Sequence, residues 1–139
     1  MIVPHKKTKK KRTQSIKFWR NKADKKFQEI GREMYNNCLI CGGEYSCLHH
    51  VFTKGSCTYL RYSWKNVIPI CAKHHIKIHG YEPVETKSLM DRIVKIKGQD
   101  WYDELTAERN KNRYTNANYV WYREMYQRLL LVTPNKVKK

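Results

Sequence analysis

At 139 residues the chain is sized for one compact domain with tails rather than two, and its formal net charge of +17, with a pI near 9.8, far exceeds what solubility requires. Such a field raises the on-rate for a polyanion, so the expected partner is nucleic acid. No stretch is long and apolar enough to cross a bilayer, which excludes a membrane span, and Met1 to Pro4 lead straight into lysines without the apolar core of a secretion signal. The expected location is therefore cytoplasmic.

In chain order, residues 1–14 carry Lys6, Lys7, Lys9, Lys10, Lys11 and Arg12 with nothing apolar to bury between them, and read as a disordered basic arm. Phe18, Trp19, Ala23, Phe27, Ile30 and Met34 recur at helical spacing and predict a helix over 15–35, with Ser15 as its cap. Short extended pieces follow around 46–52, then a loop over 53–65 that carries Gly55 and several aromatics. An apolar approach over 66–70 leads into a helix over 71–80, stopped by Gly80. After Pro83 the pattern is helical to Gly98, again around Trp101 and Leu105, and again from about 115 to 132. Tyr119, Tyr122, Tyr126, Leu129 and Leu130 make that last helix an aromatic stripe, suited to packing against the first helix and also to forming a homodimer face. A basic tail, 134–139, closes the chain.

The chemistry-bearing residues lie between Cys38 and His79, where all five cysteines and five of the six histidines fall. A tetrahedral zinc site takes two close-spaced pairs of soft donors from separate points of the chain. Cys38 with Cys41 is one such pair, and Cys71 with His74 is the other. Gly42 and Gly43, directly after the second thiol, suit the tight turn of a zinc knuckle. Cys47 and Cys57 have no paired spacing and read as small half-buried thiols, Cys47 being the reserve for a fourth ligand. Paired thiols in such a chain point to metal rather than disulfides. A second set is His49, His50, His75 and His79. His75 and His79, four apart, share one helix face. Adjacent strand residues point to opposite faces, so only one of His49 and His50 can join them, and the other is free for proton chemistry.

These residues, with Asn66 to Ile70 running into Cys71, resemble the HNH nucleases over about 38–80. Tyr59 to Tyr62, Leu89 to Ile93, Asp103 to Leu105 and Arg113 to Thr115 are similar to the Rap (NinG) recombination endonucleases of lambdoid phages. The resemblance implies an α+β fold: a small ββα-metal core over about 38–80 within one domain, 15–133, flanked by helices over 15–35 and 86–132. It also implies His50 as general base and His49, His75 and His79 as ligands of one divalent catalytic ion. Asn66 would brace the loop that holds the base, while Cys38, Cys41, Cys71 and His74 would bind a structural Zn²⁺. The implied substrate is DNA, branched or flapped, cut during phage recombination inside the host cell. Two positions depart from the family pattern: His49, where many members have Asp, and His74, where the second zinc pair usually ends in Cys. Imidazole-rich ligation favours Mn²⁺, Ni²⁺ or Zn²⁺ over Mg²⁺.

Lys54, Arg61, Lys65, Lys73 and Lys77 flank the histidines and are candidates for gripping phosphates, while Tyr59, Tyr62 and Trp64 offer faces for unpaired bases, though packing is the simpler role for each. Two other readings use the same residues. One is a zinc-stabilised nucleic-acid-binding module without catalysis; the other is a homing or restriction nuclease that cuts linear duplex at a defined sequence.

Overall fold

A computed structural model of the protein describes residues 9–80 and 82–134. Its elements run α1 (Lys9–Met34), β1 (Cys47–His50), β2 (Val67–Ile70), α2 (Ala72–Ile78), α3 (Pro83–Lys97), α4 (Gln99–Lys111) and α5 (Tyr119–Leu130), with 3₁₀ turns at Thr58–Leu60 and Trp64–Asn66 inside the β1–β2 connection. The architecture is mixed: helices around one small antiparallel sheet, consistent with the α+β expectation.

The helices match the expected pattern in number and order, with corrected ends. α1 begins at Lys9, so 9–14 are helical backbone rather than the disordered arm expected there, and Ser15 lies inside the helix instead of capping it. Residues 1–8 of that arm, and 135–139 of the tail, lie outside the described residues. α5 starts at Tyr119 rather than near Thr115, because the Asn118 side chain accepts from the Trp121 backbone N–H at 3.0 Å and caps the first turn. Gly98, at φ +102°, ends α3 and opens α4, a backbone angle that other residues adopt only with strain.

The sheet pairs Cys47 with Ile70, Leu48 with Pro69, His49 with Ile68 and His50 with Val67. Pro69 has no N–H to give, and the polar groups of its partner Leu48 are met from the opposite side by Gln28 of α1. Gln28 Nε2 donates to the Leu48 carbonyl at 3.3 Å, and Leu48 N–H donates to Gln28 Oε1 at 3.1 Å. One helical side chain thus satisfies the edge of β1 as a third strand would. α1 also comes unusually near here. A Cβ on Gly31 would fall 2.5 Å from Leu48 Cδ1, so glycine is what permits the approach.

Strand alternation then divides the molecule. Leu48 and Val67 join Ala23, Phe27 and Ile30 of α1 and Leu129 of α5 in one cluster. Ile68 and Ile70 face the other way, into a cluster with Cys38, Ile40, Ile78, Leu89 and Ile93. All four β2 residues are buried, as expected for a strand covered on both faces. A third, smaller cluster, Phe52, Cys57, Leu60 and Leu105, seats the β1–β2 connection on α4. Each fully buried Phe, Leu or Ile contributes about 1.5–3 kcal/mol. The expected packing of the last helix on the first is present, with Tyr126 and Trp19 ring centroids 5.9 Å apart.

Candidate active site

Among the described residues two Cys/His groups are close enough to hold a metal ion: the four-ligand set anticipated from spacing, and a trio in which His49, rather than His50, joins His75 and His79. In the first, the ligand atoms of Cys38, Cys41, Cys71 and His74 lie within 4.8 Å of one another. Zinc–sulfur bonds of about 2.3 Å in a tetrahedron imply sulfur–sulfur edges of about 3.8 Å. Cys41 Sγ and Cys71 Sγ are 3.8 Å apart, Cys38 Sγ and His74 Nδ1 are 3.8 Å apart, and Cys71 Sγ and His74 Nδ1 are 3.2 Å apart. Local turns deliver them. Cys38 N–H donates to the Gly43 carbonyl at 2.7 Å, Gly42 sits at φ +72°, and Gly43 N–H reaches Cys41 Sγ at 3.4 Å. Cys71 caps α2, accepting from the His74 N–H at 3.4 Å.

Burial opposes ionisation of Cys38, but backbone hydrogen bonds at Cys41, Cys71 and Ile40 outweigh it and hold that thiol below its usual range. Cys71 moves the other way, raised by burial first and then by its neighbouring thiols. Three thiols and an imidazole in this arrangement are compatible with a structural zinc site. Cys47, the reserve ligand, is not part of the group.

The second group is His49, His75 and His79, whose ring nitrogens also meet within 4.8 Å. Ring centroids are 4.9 Å apart for His49 and His79, 4.8 Å for His75 and His79, and 5.9 Å for His49 and His75. β1 brings the first and the C-terminal turn of α2 brings the other two. His49 is buried, and that burial, reinforced by His79 and His75, pushes its pKa down to about 3. His75 is lowered too, by burial and by His79. His49 and His75, which resist protonation, are neutral donors at physiological pH, which is the state a metal ligand needs.

His50, next along β1, takes the opposite direction and lies 5.9 Å from the Phe27 ring. Its Nε2 is 2.8 Å from the Arg61 carbonyl oxygen. A carbonyl can only accept, so Nε2 carries the hydrogen and Nδ1 keeps its lone pair. Burial is the main influence on this ring and holds its pKa below the ordinary value, leaving it neutral and basic near pH 7. His49, His50, His75, His79 and Lys54 all line one cavity of about 430 Å³. A groove of similar size between α3 and α4, about 440 Å³ and lined by Met90, Val94 and Tyr102, contains no such cluster. Chemistry rather than volume distinguishes them.

Asn66 is fully buried and has no solvent-facing role. Its Oδ1 accepts from the Phe52 N–H at 2.8 Å, while Nδ2 donates to the carbonyls of Phe52 and Leu60 at 2.9 and 3.2 Å. Its backbone carbonyl also receives the Val51 N–H at 2.7 Å. It therefore ties both ends of the β1–β2 connection, directly after His50.

The basic residues divide. Arg61 corrects the expectation of a free phosphate contact: its Nε and Nη2 form a fork on Asp24 of α1 at 2.8 and 2.6 Å, leaving its side chain 13% exposed. Lys54 lies 3.9 Å from the same carboxylate. Lys65 and Lys77 make exposed pairs with Glu108 and Glu85, both at 3.4 Å, which cost little to open. Lys73 is exposed on α2 and makes no ion pair among the described residues. Of the aromatics, Trp64 stacks on Phe27 at 4.3 Å and Tyr62 donates to Asp24 Oδ1 at 2.7 Å, both packing roles, while Tyr59 is 45% exposed.

The sequence reading missed Asp24 and Gln28, the two α1 residues that reach the site. Their one signal was position, since they flank Phe27 on the buried side of the helix and Asp24 stands alone among Lys22, Lys25 and Lys26. Compared with known proteins, the chain matches no family model, no curated protein and no solved structure.

Proposed function

We propose that this chain is a metal-dependent endonuclease of the HNH type that hydrolyses DNA phosphodiester bonds. The observation that carries the reading is His50, with Nε2 committed to the Arg61 carbonyl and Nδ1 left with its lone pair, in one cavity with the His49, His75 and His79 trio. A base and a ligand set sharing a cleft meet the two needs of the reaction, since water is a weak nucleophile and the attacked phosphate is anionic. The donor set fits one divalent ion, and when bound there that ion supplies charge neutralisation at the phosphate and the departing oxygen.

His50 Nδ1 takes a proton from the attacking water as the new P–O bond forms. The P–O3′ bond breaks, and the leaving oxygen recovers a proton from solvent, giving a 5′-phosphate and a 3′-hydroxyl. General-base catalysis of this kind contributes about 10²–10⁴-fold. Asn66 keeps the backbone after His50 in place. Lys73, with Lys54, Lys65 and Lys77 once their pairs open, holds the duplex through its phosphates, in keeping with the charge of +17. The cysteine cluster, loaded with zinc, fixes α2 and with it His75 and His79. Branched or flapped DNA is the substrate class, on the strength of the likeness to the Rap endonucleases.

The test is a cleavage panel of linear duplex, single strand, flap and four-way junction with Mg²⁺ or Mn²⁺, run beside His50→Ala. The variant should bind DNA and fold as the parent does but cut at least about 10²-fold more slowly. Undiminished cutting by His50→Ala would rule out this mechanism, and binding without cutting by the parent would favour a non-catalytic zinc module. Cutting confined to one linear sequence would favour a homing or restriction enzyme.

A further inference from the structure

Among the described residues no carboxylate gathers more polar contacts than Asp24, and it belongs to neither metal group. Two donors of Arg61 reach it at 2.8 and 2.6 Å, the Tyr62 hydroxyl at 2.7 Å, and Lys54 at 3.9 Å. Burial alone would raise its pKa, yet the hydrogen bonds from Arg61 and Tyr62 and the nearby positive charge overcome this and hold it below the usual carboxylate range. An ion pair this sheltered, its partners only 13% and 24% exposed, is seldom a net source of stability, since well-packed apolar residues of similar volume often do as well. Its position suggests another role.

Arg61 faces two ways. Its side chain is fastened to α1, and its own backbone carbonyl is the acceptor for His50 Nε2 at 2.8 Å. Asn66 ties Phe52 and Leu60 but makes no bond to Arg61 itself. The backbone at Arg61 is otherwise held by its N–H to the Thr58 carbonyl at 3.0 Å, a bond within the same loop. Leu60, one residue earlier, is buried and its carbonyl is held by Asn66 and Ser63, while the fork to Asp24 is the side-chain link that ties Arg61 itself to α1. α1 is rigid at this point, because Ala23 and Phe27 on either side of Asp24 are buried and Gln28 is bonded to β1. β1 carries His50, so imidazole and acceptor are both registered to one helix.

We infer that Asp24 is a positioning residue: by holding the Arg61 guanidinium it fixes the carbonyl that orients the His50 ring and so aims Nδ1 at the nucleophile. This rests on the nuclease reading above. A displacement near 1 Å at a reacting group costs about 10²-fold in rate. Bidentate geometry also matters more than charge at such a site, so Lys does not replace Arg.

The experiment is a double-mutant cycle on the metal-loaded full chain. Cleavage of the best substrate from the panel is followed under single-turnover conditions, with DNA affinity and thermal midpoint measured alongside. Asp24→Asn and Arg61→Lys should each lower the cleavage rate about 10- to 100-fold with no loss of DNA affinity, and their combination should cost no more than either alone. Asp24→Glu, which retains both carboxylate oxygens, should recover part of the loss. In a His50→Ala background, Asp24→Asn should cost nothing further, because the ring it aims is gone. A parental rate in Asp24→Asn, an equal loss in the His50→Ala background, or a loss confined to DNA affinity would each overturn the inference. Should Asp24→Asn fail to fold, Arg61→Lys carries the same cycle. Failure of the nuclease reading is separately visible, as a parental rate in His50→Ala itself.

Discussion

At the residue scale, the site works by giving adjacent, chemically identical side chains different surroundings. His49 and His50 are neighbours in β1, but the strand sends one into the His75 and His79 group and the other toward Phe27 and the Arg61 carbonyl. The consequence for pH follows from His49. Its pKa falls from about 6.5 in an unfolded chain to about 3 in the folded one. Between those values the unfolded chain binds a proton that the folded chain refuses, so stability is complete above about pH 6.5 and declines as pH drops toward 3. Thermal midpoints of the metal-free protein across this range should fall with acid, and His49→Asn should flatten the decline. A midpoint independent of pH in the parent would contradict the buried, neutral state of His49.

Among the elements, α1 and α2 depend on partners in different ways. α1 meets β1 at Gly31, where the Cβ of any other residue would strike Leu48 side-chain carbons at 2.5 and 2.7 Å. Alanine is the better helix former by about 1 kcal/mol, but overpacking of this kind costs about 1–3 kcal/mol. Gly31→Ala should therefore lower the denaturant midpoint instead of raising it. A gain would mean that Leu48 yields easily. α2 is only seven residues long, too short to persist without tertiary support. Support comes from Ile78 in the core and from Cys71 and His74 at its first turn. Chelator treatment of zinc-loaded protein, or Cys71→Ser, should release one zinc per chain and lower the thermal midpoint by many degrees. Removal of the metal without thermal effect would leave the cluster without a structural role.

For the whole molecule, the proposed binding to DNA rests on the excess of 29 Lys and Arg over 12 Asp and Glu. If six to ten phosphates are neutralised, affinity for DNA should fall about 10³- to 10⁵-fold between 50 and 200 mM salt. His50→Ala should show the same slope, because that ring is no phosphate clamp. A salt-independent affinity would remove the electrostatic basis for binding. No helix among the described residues is long and apolar enough to cross a membrane.

Most of the site was legible without coordinates. Ligand spacing is a local property: Cys38 with Cys41, Cys71 with His74, and His75 with His79 each lie within one turn of chain, so elementary geometry pairs them before any fold is known. Helical periodicity likewise anticipated α1, α3, α4 and α5, whose apolar stripes repeat over many residues. Local signals fail where partners are distant. Nothing near Arg61 distinguishes a phosphate ligand from half of an ion pair, because its partner Asp24 is 37 positions earlier and meets it only when α1 packs on the sheet. The same holds for Gln28 against Leu48, for the closeness that requires Gly31, and for which nitrogen of His50 retains its lone pair. The sequence alone thus determined which donors could act together, since covalent spacing limits where they can go. Only the tertiary structure decided which cations remain free and which way the rings face, because those outcomes depend on what burial places opposite each group.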